Sequence, residues 1–146
     1  MNKNAEIFFA MPNDGSCESL WRNLLEPAAV KLGVSAVRIR LHPTRCDVLS
    51  KMKGRIDSCD VFVGVVLARN ANVFLEIGYA LAKEKPCLVL AAPDATGEFF
   101  DSSAKVVLVE EPCSHLRTNF EAALMELMSV KPNKRDVRPA EALASE

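Results

Sequence analysis

The chain has 146 residues, 49% hydrophobic and 25% charged, with a net charge of −1. That length supports one domain with a real core, and the near-zero charge gives no reason to expect nucleic acid or an acidic membrane surface as a partner. No apolar run approaches the ~20 residues of a membrane span, and Met1-Asn2-Lys3-Asn4 leads straight into a strand rather than a signal peptide.

Residues 6–11 (EIFFAM) form a continuous apolar run, the pattern of a central strand buried on both faces. Pro12-Asn13-Asp14-Gly15-Ser16 follows as a turn, with Ser16 placed to cap the next helix. In that helix Leu20, Leu24, Leu25, Ala28 and Leu32 recur at helical spacing, Pro27 should kink or divide it, and Gly33 ends it. Residues 37–41 (VRIRL) alternate apolar and basic, which suits an edge strand whose arginines discourage further pairing. A second helix is expected over residues 47–58, with Val48, Leu49, Met52 and Ile56 inward.

Residues 61–67 read as the third strand, residues 73–85 as the third helix with Asn72 as its N-cap, and residues 87–92 as the fourth strand. Gly78 is expected to let the third helix pack closely on the sheet. Residues 93–103 are too short for a long crossover helix and read as a helical turn or a lid around Phe99 and Phe100. Residues 105–110 give the fifth strand. Ser114 can cap a last helix whose apolar face is Leu116, Phe120, Ala123, Leu124 and Leu127. From Lys131 the hydrophobic pattern stops, so residues 131–146 read as a mobile tail after a single domain over residues 1–130.

Strands alternating with helices predict an α/β doubly wound domain, a flavodoxin/Rossmann-like three-layer sandwich with a five-stranded parallel sheet in the order 2-1-3-4-5. The switch point then lies between strands one and three, where the loops 12–16 and 68–72 meet. A phospho-acceptor receiver shares this order, but it needs an Asp at the end of strand three, where Leu67-Ala68-Arg69 stands.

Five cysteines, Cys17, Cys46, Cys59, Cys87 and Cys113, are odd in number, widely spaced and without a CxxC pair. They argue against a disulfide framework or a zinc site and fit a reducing cytoplasm. Cys59 and Cys87 border apolar strands and read as small core residues. There is no GxGxxG or P-loop string, and neither a cofactor nor a metal is expected.

The most informative stretch is residues 59–91. Ala10-Met11-Pro12 closes strand one, Cys59-Asp60-Val61-Phe62-Val63 opens strand three, and Asn70-Ala71-Asn72-Val73-Phe74-Leu75-Glu76-Ile77-Gly78-Tyr79-Ala80 leads to Lys85-Pro86. Together these resemble the nucleoside 2-deoxyribosyltransferase-like superfamily, and especially its small TIR-like nucleotide-binding branch. The resemblance covers about residues 5–128 and implies cleavage or transfer at the N-glycosidic bond of a nucleoside, a nucleotide or NAD, with Glu76 as nucleophile. Three positions depart from the family pattern. Val65 stands for the Asp that ends strand three, Leu75 for the Tyr before the Glu, and Phe8 or Phe9 for a strand-one Tyr.

The implied chemistry is physically sound. Breaking an N-glycosidic bond builds positive charge on the sugar carbon, and a carboxylate there can stabilise it or form an adduct. A first-turn acid favoured by the helix dipole is the plainer account of Glu76. Asn70 and Asn72 are candidates for sugar or base contacts as well as for turn and cap. Arg69, Gly15 and Ser16 are candidates for holding phosphate, Asp14 for a second carboxylate, and Met11 and Pro12 for the wall at the end of strand one. The expected ligand is a small nucleoside or nucleotide. The resemblance also implies a homodimer or larger homo-oligomer. A binding module of the same fold that has lost turnover is the alternative to an enzyme, favoured by Val65 and Leu75.

Overall fold

The computed structural model describes residues 5–12, 15, 17–38, 48–67, 71–93, 104–109 and 115–129. The expectations for residues 94–103 and for the 131–146 tail lie outside them. The described strands are β1 (Glu6–Ala10), β2 (Ser35–Val37), β3 (Val61–Val66), β4 (Cys87–Ala91) and β5 (Lys105–Leu108). All pair in parallel in the order β2-β1-β3-β4-β5, as the sequence predicts. β3 and β4 are buried at every position, which explains why their sequences do not alternate.

Helices cover both faces. One face carries α1 (Glu18–Leu20), a π-helical turn over Trp21–Leu25, α2 (Glu26–Lys31) and α5 (Leu116–Met128). They pack Trp21, Leu25, Ala28, Phe120 and Leu124 on Ile7, Phe9, Val63, Val65 and Leu90. The other face carries α3 (Val48–Ser58) and α4 (Ala71–Ala82). Here Ile56, Val73, Ile77 and Ala80 pack on Phe8, Ala10, Phe62, Val66, Val89 and Ala91. None of the described helices is long and apolar enough to cross a membrane.

The first helix divides where Pro27 requires it. Pro27 has no N–H to return to the carbonyl one turn back. The preceding turn widens to the π register, with the Glu26 N–H bonded to the Trp21 carbonyl. The helix starts at Glu18 with Cys17 as N-cap and no side-chain capping bond, so the expected cap at Ser16 gives way; Ser16 itself lies outside the described residues. Ser114 gives way likewise, because α5 has His115 as its N-cap.

Both β2-side expectations shift. The edge strand is described over Ser35–Val37, ending on the first residue of the VRIRL string and paired with Glu6, Ile7 and Phe8; residues 39–41 lie outside the described residues. Arg38 does not guard the edge. Its guanidinium lies 5.0 Å from the Trp21 ring centroid and 3.4 Å from Glu18 Oε1.

Two helix ends share one backbone device. After α2, Gly33 (φ 72°) donates to the Val30 carbonyl and Val34 to Ala29, the paired bonds of a left-handed C-terminal cap. After α4, Glu84 (φ 60°) donates to Leu81 and Lys85 to Ala80 in the same pattern, with a carboxylate residue where glycine is favoured.

Several residues of the resembling string are structural. Asp60 clips β3 to β1: its Oδ2 accepts the Glu6 N–H at 2.8 Å, and its own N–H donates to the Glu6 carbonyl at 2.7 Å. Lys85 Nζ donates to the Asp57 carbonyl at 2.7 Å and the Cys59 carbonyl at 2.8 Å, satisfying carbonyls at the end of α3. The glycine that admits α4 is not Gly78, which is exposed and would leave an added Cβ with nothing within 4 Å. It is Gly64 on β3, where an added Cβ would lie 2.9 Å from Ile77 Cγ1 and Cδ1.

Candidate functional site

α4 begins with Ala71 and presents Val73, Ile77 and Ala80 to the sheet at helical spacing. Asn72, Glu76 and Tyr79 then fall on a neighbouring stripe of the same helix, at i, i+4 and i+7. Glu76 and Tyr79 face α3. Tyr79 Oη donates to Asp57 Oδ1 at 2.9 Å, fixing the ring against the end of α3. Lys53 Nζ and Lys83 Nζ lie 5.8 and 5.6 Å from the ring centroid.

Between the two helices is an open cavity of about 190 Å³ lined by Met52, Lys53, Ile56, Leu75, Glu76 and Tyr79. It is smaller than the ~300–1,000 Å³ that encloses a drug-sized ligand, so these residues surround a portion of a nucleotide at most. Its walls are chiefly apolar. Glu76 is 6% exposed and is the only buried charged residue among those described.

No described side chain or backbone N–H donates to the Glu76 carboxyl, and no described cation pairs with it. Burial alone pushes its pKa from 4.5 up to about 7. A carboxyl in this setting is poised to exchange a proton near neutral pH. The first-turn, dipole-stabilised account does not describe it: Glu76 lies in the second turn and is buried rather than solvated.

The other predicted site residues are distributed as follows. Met11 and Pro12 follow β1; Met11 packs against the α1–α2–α5 face, across the sheet from Glu76, and Pro12 is buried. Gly15 is exposed with φ 88°, and its carbonyl accepts the Glu18 N–H at 3.2 Å. Asn72 is exposed and lies inside α4 rather than at its N-cap, because the helix already starts at Ala71. Asp14, Ser16, Arg69 and Asn70 lie outside the described residues. None of Met11, Pro12, Gly15 and Asn72 lines the cavity.

Position 65 also reads differently in three dimensions. Val65 belongs to the core cluster with Val63 and Leu90, on the face opposite α4, whereas Val66 lies on Glu76's side. Sequence reasoning missed Met52, Lys53, Ile56 and Tyr79 as cavity residues. Their signal was the inward face of residues 47–58 and the spacing of Tyr79 three residues after Glu76. Among the cysteines, Cys17, Cys59 and Cys87 are buried free thiols. Desolvation raises Cys59 to about 11 and Cys87 to about 12, which leaves both inert as nucleophiles.

No family model and no curated protein matches the sequence. Solved structures do match in fold. A CMP N-glycosidase of Clostridium botulinum, BcmB, superposes with a TM-score of 0.54 at 16% identity, over 83% of this chain and 98% of that one. A Burkholderia pseudomallei protein whose name relates it to pilus assembly superposes with a TM-score of 0.56 at 13% identity, over 84% and 88%. At these identities the likeness establishes the doubly wound fold, which an N-glycosidase and a protein of quite different name share.

Proposed function

We propose that this chain cleaves or transfers at the N-glycosidic bond of a nucleotide, a nucleoside or NAD, with Glu76 as the reacting carboxyl. The observation that carries the reading is the burial of Glu76. An acid that is 6% exposed, opens onto a chiefly apolar cleft and has no described partner is costly to ionise, so its place is better explained by chemistry than by architecture. Two other polar residues of the motif have structural work: Asp60 clips two strands and Lys85 caps α3. The nucleoside 2-deoxyribosyltransferase-like resemblance supports the same assignment, as does the fold likeness to a CMP N-glycosidase. Nucleophile, or stabiliser of charge at the sugar carbon, is the role the resemblance gives Glu76. Asn70 and Asn72 on the sugar, and Gly15, Ser16 and Arg69 on phosphate, complete this proposal, together with Asp14, Met11 and Pro12 around the loop after β1.

The test is base release from nucleosides, nucleoside monophosphates and NAD, read by chromatography, with Glu76→Gln in parallel. Release from one substrate is expected, with a loss on the order of 10²–10⁴-fold in the variant. Equal release by both proteins overturns the assignment. A second reading, a nucleotide-binding module without turnover, is favoured by Val65 and Leu75, which stand where the resembling family has an Asp and a Tyr. It predicts a nucleotide-dependent rise in Tm without any base release.

A further inference from the structure

We infer that the cleft between α3 and α4 seats the base of the substrate, and that Lys53 takes up the charge on that base as it leaves. The inference rests on the N-glycosidic reading above and names the substrate class. Neutral bases with a ring carbonyl, uracil, cytosine and guanine among them, are favoured over adenine and over the nicotinamide of NAD. Glu76 keeps its place at the sugar carbon.

The cleft brings together three features. The first is the reacting carboxyl: Glu76 is part of the lining, so a group seated beside it is one joined to the sugar carbon it serves. The second is a seat for a flat ring. Met52, Ile56, Leu75 and the Tyr79 ring give apolar walls, and about 190 Å³ suits one heterocycle rather than a whole nucleotide. The Tyr79 ring is held by its bond to Asp57, and Leu75, 57% exposed, gives an apolar rim that a bound base would cover. The third is a cation in the wall. Lys53 stands three residues before Ile56 on α3, on the side that meets α4, and it lines the cleft. Its Nζ lies 5.8 Å from the Tyr79 ring centroid, near the outer limit of a cation–π contact. So loose a contact leaves the ammonium protons able to turn to a carbonyl oxygen. Lys83, the other cation at this ring, is 3.7 Å from Asp57 Oδ1 and outside the lining, so the assignment falls on Lys53.

When the C1′–N bond breaks, its electron pair goes to the base. In a base such as uracil the charge spreads from the ring nitrogen to a carbonyl oxygen, where an adjacent ammonium stabilises it. Water then gives its hydroxyl to C1′ and its proton to the base nitrogen. The products are free base and a sugar with a hydroxyl at C1′, and water is the only co-reactant. Adenine has no carbonyl to offer. The nicotinamide of NAD is cationic before cleavage, and Lys53 repels it.

The experiment compares the intact parent chain with Lys53→Met and Lys53→Arg. Base release is measured from uracil, cytosine, guanine and adenine nucleosides and 5′-monophosphates, from the 5-fluoro pyrimidine analogues, and from NAD. Lys53 is exposed, so both variants should melt with the parent. Lys53→Met should lose about 10–100-fold in kcat/KM on the carbonyl-bearing bases, less than the ~10²–10³ of an enclosed donor because Lys53 reaches the cleft from solvent. The loss should shrink by about threefold or more for the fluorinated pyrimidines, whose anions need less help, and vanish for adenine. Lys53→Arg should keep most of the parent's rate. An equal loss on every base, no loss on any, or adenine or nicotinamide released faster than the carbonyl-bearing bases, overturns this inference and leaves the N-glycosidase reading standing. No release from any substrate by the parent overturns both.

Discussion

Replacing Glu76 with Gln should stabilise the protein, and do so only at higher pH. The folded-state pKa of Glu76 is raised from 4.5 to about 7 by burial. The folded chain therefore holds a proton that the unfolded chain releases between those values, and stability from this group falls as pH rises from about 4.5 to about 7. A shift of that size corresponds to about 3 kcal/mol between the two limits, taking ~1.4 kcal/mol per unit. The amide keeps the shape of the protonated acid and does not ionise. Near pH 5 the variant and the parent should match closely, whereas near pH 8 the variant should be more stable by up to about 3 kcal/mol. For a chain of this size that is roughly 6–12 °C in Tm. Urea denaturation at both pH values, with the parent subtracted from the variant, isolates Glu76 from every other titrating group. A difference that is the same at both values, or a variant less stable near pH 8, would refute the argument that Glu76 sits buried and unpaired.

Three further outcomes test the architecture. Glu84→Gly should raise stability by about 0.5–1 kcal/mol, because Glu84 sits at φ 60° in a cap that favours glycine, less the extra freedom glycine gives the unfolded chain; an unchanged denaturation midpoint would argue against the left-handed cap. Gly64→Ala should lose ~1–3 kcal/mol through the 2.9 Å approach to buried Ile77, and Ile77→Val in the same chain should recover part of it by removing Cδ1. Lys85→Met should cost about 1–2 kcal/mol in thermal or chemical melts by leaving the Asp57 and Cys59 carbonyls without their charged donor; a neutral result would remove Lys85 as a helix cap.

The strand order was legible because each apolar run is bounded by turn residues and separated by helical periodicity. Boundaries moved where local chemistry competes. VRIRL alternates like a strand, yet β1 pairs with the three residues just before Arg38, and Arg38 is drawn onto Trp21 and Glu18 instead. Asn72 has the chemistry of a cap, but the helix starts two residues earlier than expected, at Ala71. The packing glycine was misassigned because a strand buried on both faces has no alternation to say which side Gly64 serves. Gly78 follows directly on Ile77, and one helical step turns it away from the sheet. The string around residue 76 drew attention to the right helix, but not to its neighbour. Periodicity says that Met52 and Ile56 face inward; it does not say that they meet α4 and enclose Glu76 with Lys53 and Tyr79.

The parallel pairing of β1 with β3 also constrains how the chain can assemble during synthesis. The clip between Glu6 and Asp60 joins residues 54 positions apart. At ~5–20 residues per second, the partner of the first strand leaves the ribosome about 3–10 s after the strand itself. Through that interval Ile7, Phe8 and Phe9, nearly inaccessible in the finished sheet, have no β3 to cover their edge. A short, strongly apolar strand waiting for its partner is the kind of segment that a ribosome-associated chaperone shields.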